Sequence, residues 1–247
     1  MMIDSHCHPH IGAGGRHSAR AVVASTHAGD WEAVRAYAGP VAARAYGVHP
    51  WWAETAQGDW LARLRAHLQA EPEALCGELG LDGLRGGGPH GALDAARQDD
   101  VFRAQLALAS QLRRPCTVHC VRAYGRLREA LDEAPSLPPA LAMHSYGGSF
   151  DFARDLKASL ERRGSACFFG FSWIVNGRRK PEKQADVIKC LDGDSILLET
   201  DLEEGTDIDD NLARAATLVA DARGWTADDA HRRCDENARL FLLSGRV

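Results

Sequence analysis

Ile3-Asp4-Ser5-His6-Cys7-His8 is a short opening run that ends on two imidazoles spaced by two residues. In an extended strand alternate side chains share a face and the rise is about 3.3 Å per residue, so His6 and His8 converge while Cys7 turns away. The same construction recurs along the chain. Ala74-Leu75-Cys76-Gly77 leads to Glu78, Cys116-Thr117-Val118 to His119, Leu141-Ala142-Met143 to His144, and Ile196-Leu197-Leu198-Glu199-Thr200 to Asp201. With further apolar runs at 21–25, 43–48 and 166–171, the pattern predicts about eight strands, with ligand-type residues where strands stop.

Helical spacing fills the intervals. Phe102, Leu106, Ala109 and Arg113 fall at i, i+4, i+7 and i+11 and predict a buried stripe in a helix over 94–113. Leu61, Leu64 and Leu68 do the same over 60–70, which Pro72 closes, and Thr226 with Asp229 reads as a capping box opening a last helix. Short strands buried on both faces and alternating with helices imply parallel pairing with right-handed crossovers. A doubly wound open sheet would call for a Gly-rich phosphate loop after an early strand, and none stands there. The expectation is one α/β domain over 1–247, a distorted TIM (β/α)8 barrel, and the length of 247 residues suits it.

Composition narrows the function classes. Lys plus Arg number 29 against 34 Asp plus Glu, a net charge of −5, which disfavours bulk attraction to nucleic acid and makes any such activity depend on a site. No window reaches eighteen apolar residues, so no membrane partner is expected. The opening Met1-Met2-Ile3-Asp4 lacks the basic start and apolar run of a signal peptide. Seven unevenly spaced cysteines do not form a secreted disulfide framework, and a cytoplasmic location is expected. Cys7, Cys76, Cys116 and Cys120 are read as small buried hydrophobes beside the ligands.

Active sites of such barrels lie at the carboxyl ends of the strands. There His6, His8, Glu78, His119, His144 and Asp201 would ring one mouth. Three ligands per ion with water completing the sphere describe a catalytic metal site, and six suffice for two ions if one carboxylate bridges. Glu78 is assigned the bridge because a carboxylate has two oxygens. Mixed imidazole and carboxylate ligation suits two divalent ions such as Zn²⁺, Mn²⁺ or Fe²⁺, with exchange for Mg²⁺ common. His49 and Asp82 are read as residues that contact substrate or steady a ligand, and Arg122 as the group that would grip an anionic oxygen through its fork. Trp51, Trp52 and Trp173 either stack a flat group or pack at the rim. His10, His17, His27, His67, His90 and His231 lack strand-end partners and are read as surface or packing residues.

In order and spacing these residues resemble the TatD-type metal-dependent hydrolases of the amidohydrolase-like superfamily, whose characterised members include deoxyribonucleases. Ile3-Asp4-Ser5-His6-Cys7-His8, Gly47-Val48-His49-Pro50, Gly77-Glu78-Leu79-Gly80-Leu81-Asp82, His144-Ser145-Tyr146-Gly147-Gly148-Ser149, Leu198-Glu199-Thr200-Asp201 and Asn237-Ala238-Arg239-Leu240-Phe241 carry the likeness. The resemblance implies a distorted β/α barrel and hydrolysis by a metal-activated water. It puts His6, His8, Glu78 and Asp201 on one metal and Glu78, His119 and His144 on the other. Asp201 and Glu78 are thus the expected catalytic carboxylates, and DNA or a small phosphoester the expected substrate. No protein partner is implied.

The chain departs from that family after Asp201. Where a Pro and a basic segment are usual, it reads Leu202-Glu203-Glu204-Gly205-Thr206-Asp207-Ile208-Asp209-Asp210-Asn211. An acidic patch at the mouth would repel a polyanion, with Arg178, Arg179, Lys180 and Arg85 as the cations that could answer it. An amide, ester or lactone of a small molecule is therefore the alternative substrate. A non-catalytic role fits less well with all six ligand positions intact.

Overall fold

Eight strands pair in parallel in sequence order. They are Ile3–Cys7 (β1), Arg20–Ala24 (β2), Val41–Tyr46 (β3), Leu75–Asp82 (β4), Cys116–Val121 (β5), Ala140–Met143 (β6), Ala166–Ser172 (β7) and Ile196–Glu199 (β8). The seam between β8 and β1 is closed by two backbone bonds beyond the last strand. The amide of Asp201 donates to the carbonyl of His6 (2.9 Å) and that of His8 to Leu202 (2.7 Å). Helices Trp31–Ala36 (α1), Trp60–Ala70 (α2), Ala95–Gln111 (α3), Tyr124–Glu133 (α4), Phe150–Arg162 (α5), Trp173–Asn176 (α6), Pro181–Cys190 (α7), Ile208–Arg223 (α8) and Ala227–Leu243 (α9) intervene, making a TIM-like (β/α)8 barrel. This computed structural model describes residues 2–12, 17–84, 94–177, 181–203 and 207–246. Arg85, the glycine-rich loop after it with His90, Arg178, Arg179, Lys180 and Glu204 lie outside the described residues. No helix among the described residues is long and apolar enough to cross a membrane.

Alternation along the strands sorts the core into two sets. Val23, Tyr46, Cys76, Leu141, Met143, Phe169 and Leu198 join a cluster shared with the surrounding helices. Val22, Ala24, Ala43, Ala45, Ala140, Ala142, Phe168 and Leu197 form a second, with Ala238, Phe241 and Leu242 of α9. The rings of Phe168 and Phe241 lie 5.6 Å apart. Asp235 of α9 accepts the amide of Ile3 (2.8 Å), and Asn237 donates to the carbonyls of Gly193 and Ile196. Helix α9 therefore caps the amino ends of the strands while the carboxyl ends stay open for chemistry.

Several boundaries move from their sequence positions. β1, β4 and β5 run further than their apolar letters, so His6, Glu78 and His119 sit inside strands, and only His8, His144 and Asp201 lie beyond a strand end. The β4–β5 register shifts between Cys76 and Leu79, around Glu78. Arg113 is not part of the α3 stripe: it lies beyond Gln111, exposed and at φ 53°, whereas Phe102, Leu106 and Ala109 are buried. Thr226 caps α9 as expected, its hydroxyl accepting from the amide of Asp229 (3.1 Å). Cys7, Cys76, Cys116 and Cys120 are buried free thiols.

Because Phe241 is fully buried in the floor and Leu240 is 59% exposed, Phe241→Ala should lower stability by about 3–5 kcal/mol in urea denaturation while Leu240→Ala stays within about 0.5 kcal/mol. Equal effects would remove α9 from the barrel floor.

Candidate metal centre

Glu78 is buried at the middle of the carboxyl mouth. Its Oε2 lies 3.2 Å from His6 Nε2 and 3.3 Å from His8 Nε2. Its Oε1 lies 2.6 Å from His144 Nε2, 3.0 Å from His119 Nδ1 and 3.4 Å from His49 Nε2. Asp201 Oδ1 stands 3.8 and 3.7 Å from the Nε2 atoms of His6 and His8. Three sets of possible donors, His6 with His8 and Asp201, His6 with Glu78 and His144, and His49 with Glu78 and His119, each have their atoms within 4.8 Å of one another.

The imidazoles are held from behind. His8 Nδ1 donates to the carbonyl of Ala24 (2.7 Å), and since a carbonyl only accepts, the proton of a neutral ring sits there and Nε2 offers its lone pair. His6 Nδ1 bonds the Thr117 hydroxyl (2.8 Å). His119 Nε2 faces Asp82 Oδ2 at 3.5 Å and His144 Nδ1 faces Glu199 Oε1 at 3.7 Å. Asp82 is itself fixed by the Trp51 indole N–H and the amide of Leu84, both at 2.7 Å. Glu199 accepts from the amide of Ser145 and the Ser5 hydroxyl, and Gly170 gives it room, since a Cβ there would collide with the carboxylate. Asp201, Ser145 and Arg122 leave their strands with φ of 59°, 40° and 48°, a left-handed conformation costly for non-glycine residues and typical of functional sites.

This set of groups fits a divalent cation. His6 and His8 aim Nε2 atoms at each other at 3.2 Å, and His119 Nδ1 and His144 Nε2 meet at 3.1 Å. Without a cation, such nitrogens, the buried carboxylate of Glu78 and the half-buried one of Asp201 must share protons. Burial opposes the charge of Glu78, but the imidazoles of His144, His49 and His6 hold its pKa well below the usual range. Asp201 is likewise depressed against its burial, by His144 and a hydrogen bond from His8. Burial disfavours a cationic His8, yet Asp201 and Glu78 push it up to about 10, and His144 is raised by Glu78 and Asp201. His6 moves down, through burial and the charge on His144. The carboxylates are thus balanced by protons that a metal ion would displace.

His49 differs from the others. Its Nδ1 accepts the amide of Trp51 (3.1 Å) and burial lowers its pKa to about 3. The ring is neutral with its proton on Nε2, which makes it a hydrogen-bond donor to the centre. A cavity of about 770 Å³ opens over these groups, and Trp51, Trp52, His10 and His27 also line it. Arg122 is exposed just past β5 and is not among the described lining residues, nor is Trp173, which packs under Arg214 at 5.9 Å. The expectation of an acidic patch is corrected in part. Only Glu203 of that segment's described residues lines the cavity, because Asp209 accepts from the amides of Ser18 and Ala19 and Asp210 pairs with Arg214 at 2.8 Å. His10 and His27, read as surface or packing residues, instead form part of the cavity wall. Thr117 and Glu199 escaped the sequence reading; Thr117 shares a β5 face with His119 two residues on, whereas Glu199 ends β8 and meets His144 only in the fold.

Fold and side chains together give a TIM-like (β/α)8 barrel whose carboxyl mouth carries a cluster of imidazoles and carboxylates. A yeast structure described as an uncharacterized amidohydrolase superposes with a TM-score of 0.65 at 15% identity, covering 90% of this chain and 88% of its own. The family described as TatD related DNase matches residues 3–243, and the chain belongs to it. The crystal structure of YjjV, a TatD homologue from Escherichia coli, covers 98% of this chain and 97% of its own with a TM-score of 0.74 at 24% identity. A protein of Pantoea vagans named 3'-5' ssDNA/RNA exonuclease TatD is 32% identical over 80% of this chain and 77% of its own. Its namesake from Cronobacter turicensis is 36% identical over 63% of this chain, and only 55% of that relative's length is covered.

Since His8 and His144 keep protons through neutrality that a metal would displace, lowering the pH should weaken binding. Apparent Zn²⁺ affinity, measured against a chromophoric chelator, should rise from pH 6 to pH 8 by about tenfold per unit for each proton displaced. A flat profile would contradict the proton count.

Proposed function

We infer that the chain is a metal-dependent phosphodiesterase of the nuclease type, carrying two divalent ions. The observation that bears the reading is Glu78, with one carboxylate oxygen turned to His6 and His8 and the other to His119 and His144. In this reading His6, His8, Glu78 and Asp201 would hold one ion and Glu78, His119 and His144 the other. The family and the exonuclease names of its relatives support a nucleic acid or another phosphoester as substrate.

Bound divalent ions would lower the pKa of a water towards neutrality and offset charge on a phosphoryl oxygen. Asp201, ionised and held in place by the hydrogen bond its backbone N–H donates to the carbonyl of His6, accepts the proton of the attacking water. The water oxygen bonds to phosphorus, the P–O bond to the leaving alcohol breaks, and the leaving oxygen takes a proton from solvent. Ala24 and Thr117 keep the His8 and His6 rings aimed by hydrogen bonds, while the carboxylates of Asp82 and Glu199 face His119 and His144, so little reorganisation accompanies the step. His49 Nε2 donates a hydrogen bond to a phosphoryl oxygen. The same centre would serve a small amide or ester, a reading favoured by the absence of Lys and Arg among the described residues lining the cavity.

Asp201→Asn should reduce metal-dependent hydrolysis of bis-p-nitrophenyl phosphate and labelled single-stranded DNA at least a hundredfold while circular dichroism stays unchanged. Full activity would remove Asp201 from the chemistry. Hydrolysis of an amide panel with no phosphodiesterase activity would favour the second reading. His49→Ala should lower kcat about tenfold or more at unchanged metal content, with partial recovery in His49→Gln, which keeps an N–H donor. Loss of one equivalent of metal in His49→Ala would make it a ligand instead.

A further inference from the structure

The amino ends of the strands, opposite the metal centre, carry a concentration of positive charge that the proposed chemistry does not use. A cavity of about 290 Å³ lies there, bounded by the segments that enter β4 and β5, the end of α3 and the tail after α9. Arg113, Arg114 and Arg246 line it against one carboxylate, Glu73. Leu112 and Leu242 supply apolar wall between them. Gly245 lets the tail close in on α3: its φ is 84°, and a Cβ there would collide with the Arg113 carbonyl.

That charge is only partly answered. Arg246 meets Glu73 at 3.1 Å, and the Glu73 side chain is 75% exposed. Neither Arg113 nor Arg114 has a carboxylate within ion-pair distance among the described residues. Arg114 gives one N–H to the carbonyl of Leu68 at the end of α2 (2.9 Å), but its Nε is buried and finds no acceptor among the described residues. A buried donor left in that state costs free energy that an incoming acceptor would restore. Burial, and then the charge of Arg246, push the Arg114 pKa down, so like charges bear on one another. Arg113 also lines a neighbouring cavity with Arg163, whose guanidinium bonds the carbonyls of Leu131 and Ala134 and keeps its charge. Capping of helix carbonyls accounts for Arg163 and for one nitrogen of Arg114, and it leaves Arg113 and the Arg114 Nε without a use.

We propose that this cavity binds a small phosphate monoester, its dianion between Arg113, Arg114 and Arg246 and its apolar body against Leu112 and Leu242. A phosphate group offers three acceptor oxygens to the forked donors of guanidinium groups. Placed between Arg114 and Arg246, it replaces their repulsion with attraction to a shared anion. The walls suit a ligand that is charged at one end and apolar at the other. The site stands at the far end of the barrel from Glu78 and does not depend on the reaction assigned to the metal centre.

The test is calorimetric titration of the Mn²⁺-loaded protein with benzylphosphonate at about pH 8, a dianion whose C–P bond is not an ester the enzyme could hydrolyse. The double variant Arg113→Asn with Arg246→Gln changes two exposed side chains, and Asn tolerates the left-handed backbone at position 113. It should weaken binding at least about tenfold while hydrolysis of bis-p-nitrophenyl phosphate stays within about twofold of the parent. Glu73→Gln, which releases Arg246, should tighten binding about twofold or more, and inorganic phosphate should bind about fivefold more weakly for want of an apolar body. Affinity unchanged in the double variant would put the ligand at the metal centre and overturn the proposal, as would the absence of binding at about 5 mM ligand. Should the double variant fail to fold, Glu73→Gln decides, and no gain in affinity there overturns the site. Equal affinity for inorganic phosphate would overturn the monoester assignment.

Discussion

A carboxylate buried inside a barrel has to be answered by positive charge or by hydrogen bonds, and Glu78 sets that demand for the whole carboxyl mouth. Imidazoles from β1 and β5, from the exits of β1 and β6 and from the turn after β3 converge on its two oxygens. Their back nitrogens then need partners of their own. The carbonyl of Ala24, the hydroxyl of Thr117 and the carboxylates of Asp82 and Glu199 stand there, which spreads the constraint from one side chain to most of the strands. The Ser5 hydroxyl and Gly170 serve the next layer by holding and clearing space for Glu199.

Much of this was readable in the residue order because periodicity and charge are properties of the chain itself. The alternation of apolar runs with helical stripes gives the barrel, and ligand-type letters at the ends of those runs give the ring of six. The family resemblance rests on the same letters, and the family match over residues 3–243 agrees with it. What could not be read depends on register. Glu78 follows an apolar run and looks like a strand end, yet β4 continues to Asp82, because the ladder to β5 shifts locally and lets the chain go on pairing. Thr117 and Glu199 look ordinary in sequence, and their roles come from partners distant in the chain, His6 and His144. His10 has no strand-end signature because its partner Asp30 is twenty positions on, across β2.

Charge at the mouth is local and does not follow from composition. The acidic run after Asp201 reads as one patch, but the fold disperses it: Asp209 ties α8 to the segment before β2, Asp210 is neutralised by Arg214 on its own helix, and Glu203 faces the cavity. Net charge therefore says little about what the cavity admits. The charged and aromatic side chains that line it, Asp30, Glu203, Trp51 and Trp52 among them, act over a few ångströms, where screening by salt is least effective.

The seam between β8 and β1 has a mechanical side. Its closure relies on a few bonds around His6, His8, Asp201 and Leu202, where the other neighbouring strands pair within the sheet. An ion held as proposed by His6, His8 and Asp201 would cross-link the first strand to the segment after the last, closing a loop that takes in nearly the whole fold. Cofactor loading would then act as a hoop around the barrel, with resistance to unfolding rising with free metal concentration as expected of any ligand that binds only the folded state. Metal starvation would loosen the same seam, so that scarcity of the ion would shorten the protein's lifetime as well as silence its chemistry.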